Sequence, residues 1–121
     1  MMDAVFDTNI VIDALNGVAE ADTEYTRYGR VLISRITWME TLVGAEGDDS
    51  QLREFLETHF DIMSIDLATA ETAVPLRRSH RLRLPDAIIW ATAQAHGAVL
   101  VTRNTKDFRP EWDGVRVPYA I

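Results

Sequence analysis

Apolar residues fall into short runs that alternate with segments of helical period. Ala4-Val5-Phe6 ends abruptly at Asp7, after which Ile10, Val11, Ala14 and Leu15 recur at helical spacing up to Gly17. This predicts a short buried strand, then a helix over Thr8 to Asn16 with a glycine just past its end. The alternation continues along the chain. A weaker helical stretch over Ala21 to Tyr28 precedes a second strand, Val31-Leu32-Ile33, and a helix from Ile36 to Ala45 that ends near Gly44 or Gly47. Leu52, Phe55, Leu56 and His59 share a helical face behind the capping residues Asp48, Asp49 and Ser50. Ile62 to Ile65 predicts a third strand, and Ala68 to His80 a helix that Pro75 bends by removing a backbone donor. Pro85 opens a helix over Asp86 to His96, closed by Gly97; Val99 to Val101 and Val115 to Val117 predict a fourth strand and a short fifth.

Strands alternating with helices imply parallel pairing with helices on both faces, and strands apolar throughout fit a sheet covered on both sides. The expected fold is a three-layer α/β domain spanning residues 1–121, with a short parallel sheet of four or five strands flanked by helices. Ligands of such folds bind at the carboxyl ends of the strands, where the connection order switches. Asp7 falls at such an end.

Composition narrows the chemistry. The chain has no cysteine, which excludes disulfides, thiolate metal sites and cysteine nucleophiles and suits a reducing compartment. No apolar stretch reaches the roughly 18 residues a membrane span requires, and Met1-Met2-Asp3 does not open a signal peptide. A cytoplasmic protein without membrane association is expected. The net charge of −7 argues against a surface that coats polyanions, so any nucleic acid must meet a local basic patch. Arg77, Arg78, Arg81 and Arg83, in R-R-S-H-R-L-R-L, form the only dense basic run, either a solvated helix face or a phosphate-contacting edge.

Three acidic residues stand at comparable places in successive strand–helix units. Asp7 reads equally as a helix cap, and Glu40 in T-W-M-E has the Thr-x-x-Glu spacing of a capping box with Thr37. Asp86, in L-P-D-A-I-I-W-A-T-A, opens a helix apolar nearly all round. A helix dipole stabilises a first-turn carboxylate by about 0.3–1 kcal/mol, too little to offset burial of the charge, so Asp86 calls for a cation. Val101 to Phe108, V-T-R-N-T-K-D-F, leaves the fourth strand at the same sheet edge and brings the oxygen donors Thr102, Asn104 and Asp107, unless it is only a polar turn. Carboxylates gathered together repel one another and need a counter-charge, and an all-oxygen set suits Mg²⁺ or Mn²⁺. His59, His80 and His96 form no ligand spacing, and the three tryptophans read as core.

D-T-N-I-V-I-D at Asp7, I-T-W-M-E at Glu40, L-P-D-A-I-I-W-A-T-A at Asp86 and L-V-T-R-N-T-K-D-F at Asp107 occur in this order almost end to end, and together the chain resembles the PIN-domain ribonucleases, most closely the VapC toxins of bacterial type II toxin–antitoxin pairs. The resemblance implies Mg²⁺-dependent cleavage of RNA phosphodiester bonds, with Mn²⁺ able to substitute, and inhibition by a small VapB-like antitoxin. It also implies a homodimer that assembles further with the antitoxin. Asp7 and Asp86 correspond to the family's principal metal ligands and Glu40 to its third acidic residue. The fourth position falls to Asn104 or to Asp107, the nearest carboxylate; Thr102, Asn104 and the arginines Arg77, Arg78, Arg81 and Arg83 would contact RNA. An antitoxin tail is expected to place a basic side chain at the acidic pocket and a helix beside Ile10 to Leu15 and Ala21 to Tyr28. The alternatives are a catalytically inactive PIN-like binding module and a phosphoacceptor signalling domain. The latter would want paired acids where Asp7 is followed by Thr8, just as a haloacid-dehalogenase-type phosphatase would want an acid where Asn9 stands.

Overall fold

The computed structural model describes residues 1–120. Its elements follow in the order β1 (Ala4–Phe6), α1 (Thr8–Leu15), α2 (Ala19–Tyr25), β2 (Val31–Ser34), α3 (Arg35–Val43), α4 (Ser50–His59), β3 (Asp61–Met63), α5 (Leu67–His80), α6 (Leu84–Ala95), β4 (Val99–Val101) and β5 (Val115–Arg116). The strands pair in the order β3-β2-β1-β4-β5, every pair parallel. In register, Val5 lies opposite both Leu32 of β2 and Leu100 of β4.

Two apolar layers sandwich this sheet. Val5, Leu32 and Leu100 face α5 and α6, where Ala87, Ile89, Trp90 and Phe108 fill the core. Alternate residues Ala4, Phe6, Ile33 and Val101 point to the other side, against Ile10 and Val11 of α1 and Leu56 of α4. Phe6 is fully buried and meets Tyr25 and Tyr28 edge-on and Phe60 at a tilt. Burial of such a ring stabilises by about 1.5–3 kcal/mol and clamps the residue immediately before Asp7. No helix of the described residues is long and apolar enough to cross a membrane.

The three-layer parallel architecture is the expected one, with local differences. Strand β3 starts earlier than expected, at Asp61 rather than Ile62, and ends at Met63; as an edge strand it is partly exposed. The capping-box reading of Thr37 and Glu40 is incorrect: α3 begins at Arg35, one residue before the expected Ile36, Ser34 is its cap and accepts from the Ile36 N–H, and Glu40 lies on the second turn. Pro75 stays inside a continuous α5, and that helix ends not at a glycine but at Arg81, which adopts φ 57°.

The order places a topological switch beside β1: the chain moves from β1 to β2 on one side, and returns through β4 on the other. Connections leaving β1 and β4 therefore part company there and open a crevice at the carboxyl ends of the strands.

Candidate active site

Asp7 stands in that crevice. It follows β1 directly and caps α1, with Oδ1 accepting from the Thr8 N–H at 2.8 Å. The cap reading is thus correct, yet it engages one oxygen only. Oδ2 accepts from Thr102 Oγ1 at 2.8 Å and from Asn9 Nδ2 at 3.1 Å. Burial outweighs these hydrogen bonds and, with the nearby charges of Asp86 and Glu40, pushes the carboxyl from 3.8 up to about 6.

Asp86 enters from the first turn of α6, which Pro85 starts and whose inner face is apolar. It is buried, and its pKa is raised by that burial and by the charges of Asp107 and Glu40; Arg83 opposes the rise. The expected cation is in part Arg83, whose Nε lies 3.3 Å from Asp86 Oδ2 while Nη2 lies 3.9 Å from Asp107. That guanidinium is 76% exposed, so its charge is largely screened by water.

Glu40 reaches the rim from α3, exposed, and Oε1 accepts from Thr8 Oγ1 at 2.7 Å. Asn104 and Asp107 do not compete for one place: Asn104 Nδ2 donates to Asp107 Oδ2 at 2.9 Å, and the Asp107 N–H donates back to Asn104 Oδ1 at 3.3 Å. Of the two, Asp107 supplies the charge felt by Asp86. Thr102 is fully buried and accepts from the Asn104 N–H at 3.0 Å while donating to Asp7, tying the β4–β5 connection to the end of β1.

Asp7, Glu40, Asp86, Asp107, Thr102 and Asn104 are therefore brought to one edge, with Arg83 beside them. Arg77, Arg78 and Arg81 are exposed near the end of α5 and make no ion pair among the described residues. The histidines occupy separate neighbourhoods: His59 packs on Tyr25 and Phe55, His80 on Trp90 and Trp112, and His96 caps α6. No pair of them could share acid–base work.

Among the described residues no three acidic or histidine side chains are gathered tightly enough to hold an ion between them. Mg²⁺ asks for less: it is commonly bound through one or two carboxylates, with water and substrate phosphate completing the shell. An all-oxygen edge whose two buried carboxyls both resist ionisation because of burial, with only the exposed Arg83 as counter-charge, fits such an ion.

Several supporting residues are absent from the sequence reading. Asn9 holds Asp7 and accepts from the Arg103 N–H at 3.2 Å. Arg103 grips buried Asp13 through two hydrogen bonds of 2.6 and 3.0 Å, and Arg116 grips buried Glu24 through two of 2.7 and 3.1 Å. A signal for Asp13 existed, namely a lone carboxylate amid the apolar residues of α1. Glu24 offered none, since α2 carries other acids that face solvent.

The PIN domain family matches residues 4–109. Ribonuclease VapC1 of Rickettsia felis is 28% identical over 121 residues, covering 89% of this chain and 90% of that protein. The tRNA(fMet)-specific endonuclease VapC of Shigella flexneri is 30% identical over 120 residues, covering 89% and 91% respectively. Among solved structures, a chain of a toxin–antitoxin complex from Klebsiella pneumoniae superposes with a TM-score of 0.87 at 46% identity, covering 98% of this chain and 99% of that one. The chain belongs to the PIN-domain family, in its VapC ribonuclease branch.

Proposed function

We propose that this chain is a Mg²⁺-dependent endoribonuclease of the toxin type, hydrolysing RNA phosphodiester bonds in the cytoplasm. The observation that carries the reading is the meeting of two buried carboxylates, Asp7 and Asp86, at the switch point, both with raised pKa. Asp7 and Asp86 would hold the cation, with Glu40 and Asp107 at its rim. Bound there, Mg²⁺ or Mn²⁺ supplies a Lewis acid for the scissile phosphate and an activated water.

The chain's own groups do the positioning. Thr102 and Asn9 fix Oδ2 of Asp7, and the Thr8 N–H fixes Oδ1, so the carboxylate presents one orientation. Arg83, exposed between Asp86 and Asp107, is placed to exchange those carboxylates for a phosphate oxygen once a cation neutralises them. Arg77, Arg78 and Arg81 extend a basic track along the backbone of a bound strand.

The partner follows from the same kinship. A hollow between α1, α2 and α4, lined by Ala14, Tyr25, Thr26 and Phe55, suits the apolar face of a helix from a small VapB-like antitoxin. A basic side chain of its tail would neutralise the acidic edge, and a homodimer of this chain would join the assembly. The resemblance to the Klebsiella pneumoniae toxin–antitoxin complex supports this partner.

The test is cleavage of RNA by purified protein. Cleavage that requires Mg²⁺ or Mn²⁺, stops with EDTA and is absent from Asp7→Asn is expected. Full activity in EDTA, after contaminating nucleases are removed, would overturn the mechanism; no cleavage of any RNA would favour the inactive binding module.

A further inference from the structure

Asp13 and Arg103 lie outside the acidic edge, yet they are joined to it without a break. Asp13 is buried on α1, six residues beyond Asp7, and accepts three hydrogen bonds: two from the Arg103 guanidinium at 2.6 and 3.0 Å and one from Tyr119 Oη at 2.8 Å. The backbone of Arg103 donates to Asn9 Oδ1 at 3.2 Å, and Asn9 Nδ2 in turn reaches Asp7 Oδ2 at 3.1 Å. On either side of Arg103 stand Thr102, bonded to Asp7, and Asn104, bonded to Asp107. Three hydrogen bonds from two partners leave this buried carboxylate well satisfied, so nothing in this cluster waits for a ligand.

We infer that the buried Asp13–Arg103 pair, closed by Tyr119, is a positioning device: it fixes the connection after β4 so that Thr102 and Asn9 aim the Asp7 carboxylate and Asn104 aims Asp107. The inference rests on the ribonuclease reading of that edge. Arg103 suits the role because its guanidinium is a rigid fork, able to fix a loop in both position and twist, where a lysine would only attract. Asp13 and Arg103 are positioning residues, since neither reaches the acidic edge with its own side chain. The C-terminal segment takes part as well, because Tyr119 follows β5 and returns to α1.

The discriminating variant is Asp13→Leu/Arg103→Met. Replacing both members of a buried pair by apolar side chains is commonly neutral for folding or stabilising, so holding the fold is separated from holding the site. Arg103→Lys is its companion, keeping the charge while giving up the two-pronged contact. The readouts are the unfolding temperature, kcat and KM for RNA measured separately, and the side-chain amide NMR signals of Asn9 and Asn104 in metal-free protein. The double variant should unfold near the wild-type temperature, with kcat reduced roughly 10- to 100-fold and KM changed by less than about two-fold. Arg103→Lys should fall between, and in both variants the Asn9 and Asn104 amide signals should move toward those of freely solvated amides. If the double variant does not fold, Arg103→Lys decides through the same kcat and amide readouts. Wild-type kcat, or unmoved amide signals, in a folded variant would overturn the positioning role. Should the wild-type chain itself cleave no RNA, the functional reading falls, while the amide signals still decide the positioning.

Discussion

Among the described residues four carboxylates are buried to almost the same degree, Asp7 at 4% exposure, Asp86 at 6%, Asp13 at 4% and Glu24 at 3%. They behave in opposite ways. Burial pushes Asp7 and Asp86 up from the ordinary range. The Arg103 hydrogen bonds hold Asp13 below it, and in Glu24 the hydrogen bonds of Arg116 and Tyr28 outweigh burial and do the same. Depth alone therefore decides nothing; the difference lies in where the arginine stands. Arg103 and Arg116 are two-thirds buried and grip their acids two-pronged, whereas Arg83 is 76% exposed and reaches Asp86 by one nitrogen. One pair of acids is finished by the fold. The other is left with its charge only partly compensated at the edge where the strands end, the state expected of ligands that meet their cation from solvent.

The comparison breaks most visibly in catalysis. Asp7→Asn and Asp86→Asn should each lower RNA cleavage by more than the roughly 100-fold that loss of a group merely orienting a metal ligand causes. Circular dichroism should remain that of the wild type. An unfolded variant would show that the residue serves the fold, as Glu24 does.

The next largest effect belongs to the finished pair. Arg116→Met leaves Glu24 buried without its partner. Stability by chemical denaturation should fall by roughly 2–4 kcal/mol, below the full value for a broken buried pair because the guanidinium is one-third exposed. Wild-type stability would mean that Tyr28 and Arg27, the other groups near Glu24, suffice.

Opposite shifts give opposite pH dependence in metal-free protein. Folded Asp7, at about 6, binds its proton more tightly than the unfolded chain does at 3.8, so it adds stability as pH falls through 6 and costs stability above. Asp7→Asn should therefore be more stable than wild type above pH 6, by roughly 1–2 kcal/mol. The shift alone corresponds to about 3 kcal/mol, but an amide nitrogen cannot accept both hydrogen bonds at Oδ2. The gain should vanish below pH 4. Asp13 and Glu24, held low, contribute stability that is present at neutral pH and lost in acid. A gain of equal size at pH 4 and pH 7 would refute the assignment of the shift to Asp7.

The smallest effect concerns the arginines that are not committed to an acid. Arg77→Ala/Arg78→Ala should leave stability unchanged and weaken RNA binding, with the slope of log affinity against log salt falling by about one per lost phosphate contact. An unaltered slope would make this stretch a solvated helix face.

The division between the two pairs also marks what the sequence could convey. Strand and helix order was legible because buried strands such as Ala4–Phe6 and Val99–Val101 are apolar throughout while α1 and α4 keep a helical period. The glycines after α1 and α6, with φ of +74° and +62°, mark their ends as expected. The cap of α3 was not legible because Ser34 and Thr37 are both good caps, and only the end of β2 selects Ser34. Asp7 and Asp86 were legible because one follows a strand and the other opens a helix at the same sheet edge. Glu40 joins them from the second turn of α3, and the capping box that drew attention to it does not form. Asp13–Arg103 and Glu24–Arg116 were not legible, since their partners lie about 90 residues apart in sequence and no local pattern connects them. Strand order made those pairs, by setting β4 beside β1 and β5 beside β4.

Asp7 is buried without an ion-pair partner, and we propose that a divalent cation completes it. The most direct measurement is an NMR titration of the side-chain carboxyl carbons of Asp7, Asp13 and Glu24, with and without Mg²⁺. In metal-free protein Asp7 should titrate near 6, and Asp13 and Glu24 below the ordinary carboxylate range. Mg²⁺ should move the Asp7 midpoint downward, since the ion binds only the ionised form, and leave Asp13 and Glu24 where they are. A midpoint for Asp7 near 4 in metal-free protein, or one that Mg²⁺ does not shift, would contradict it.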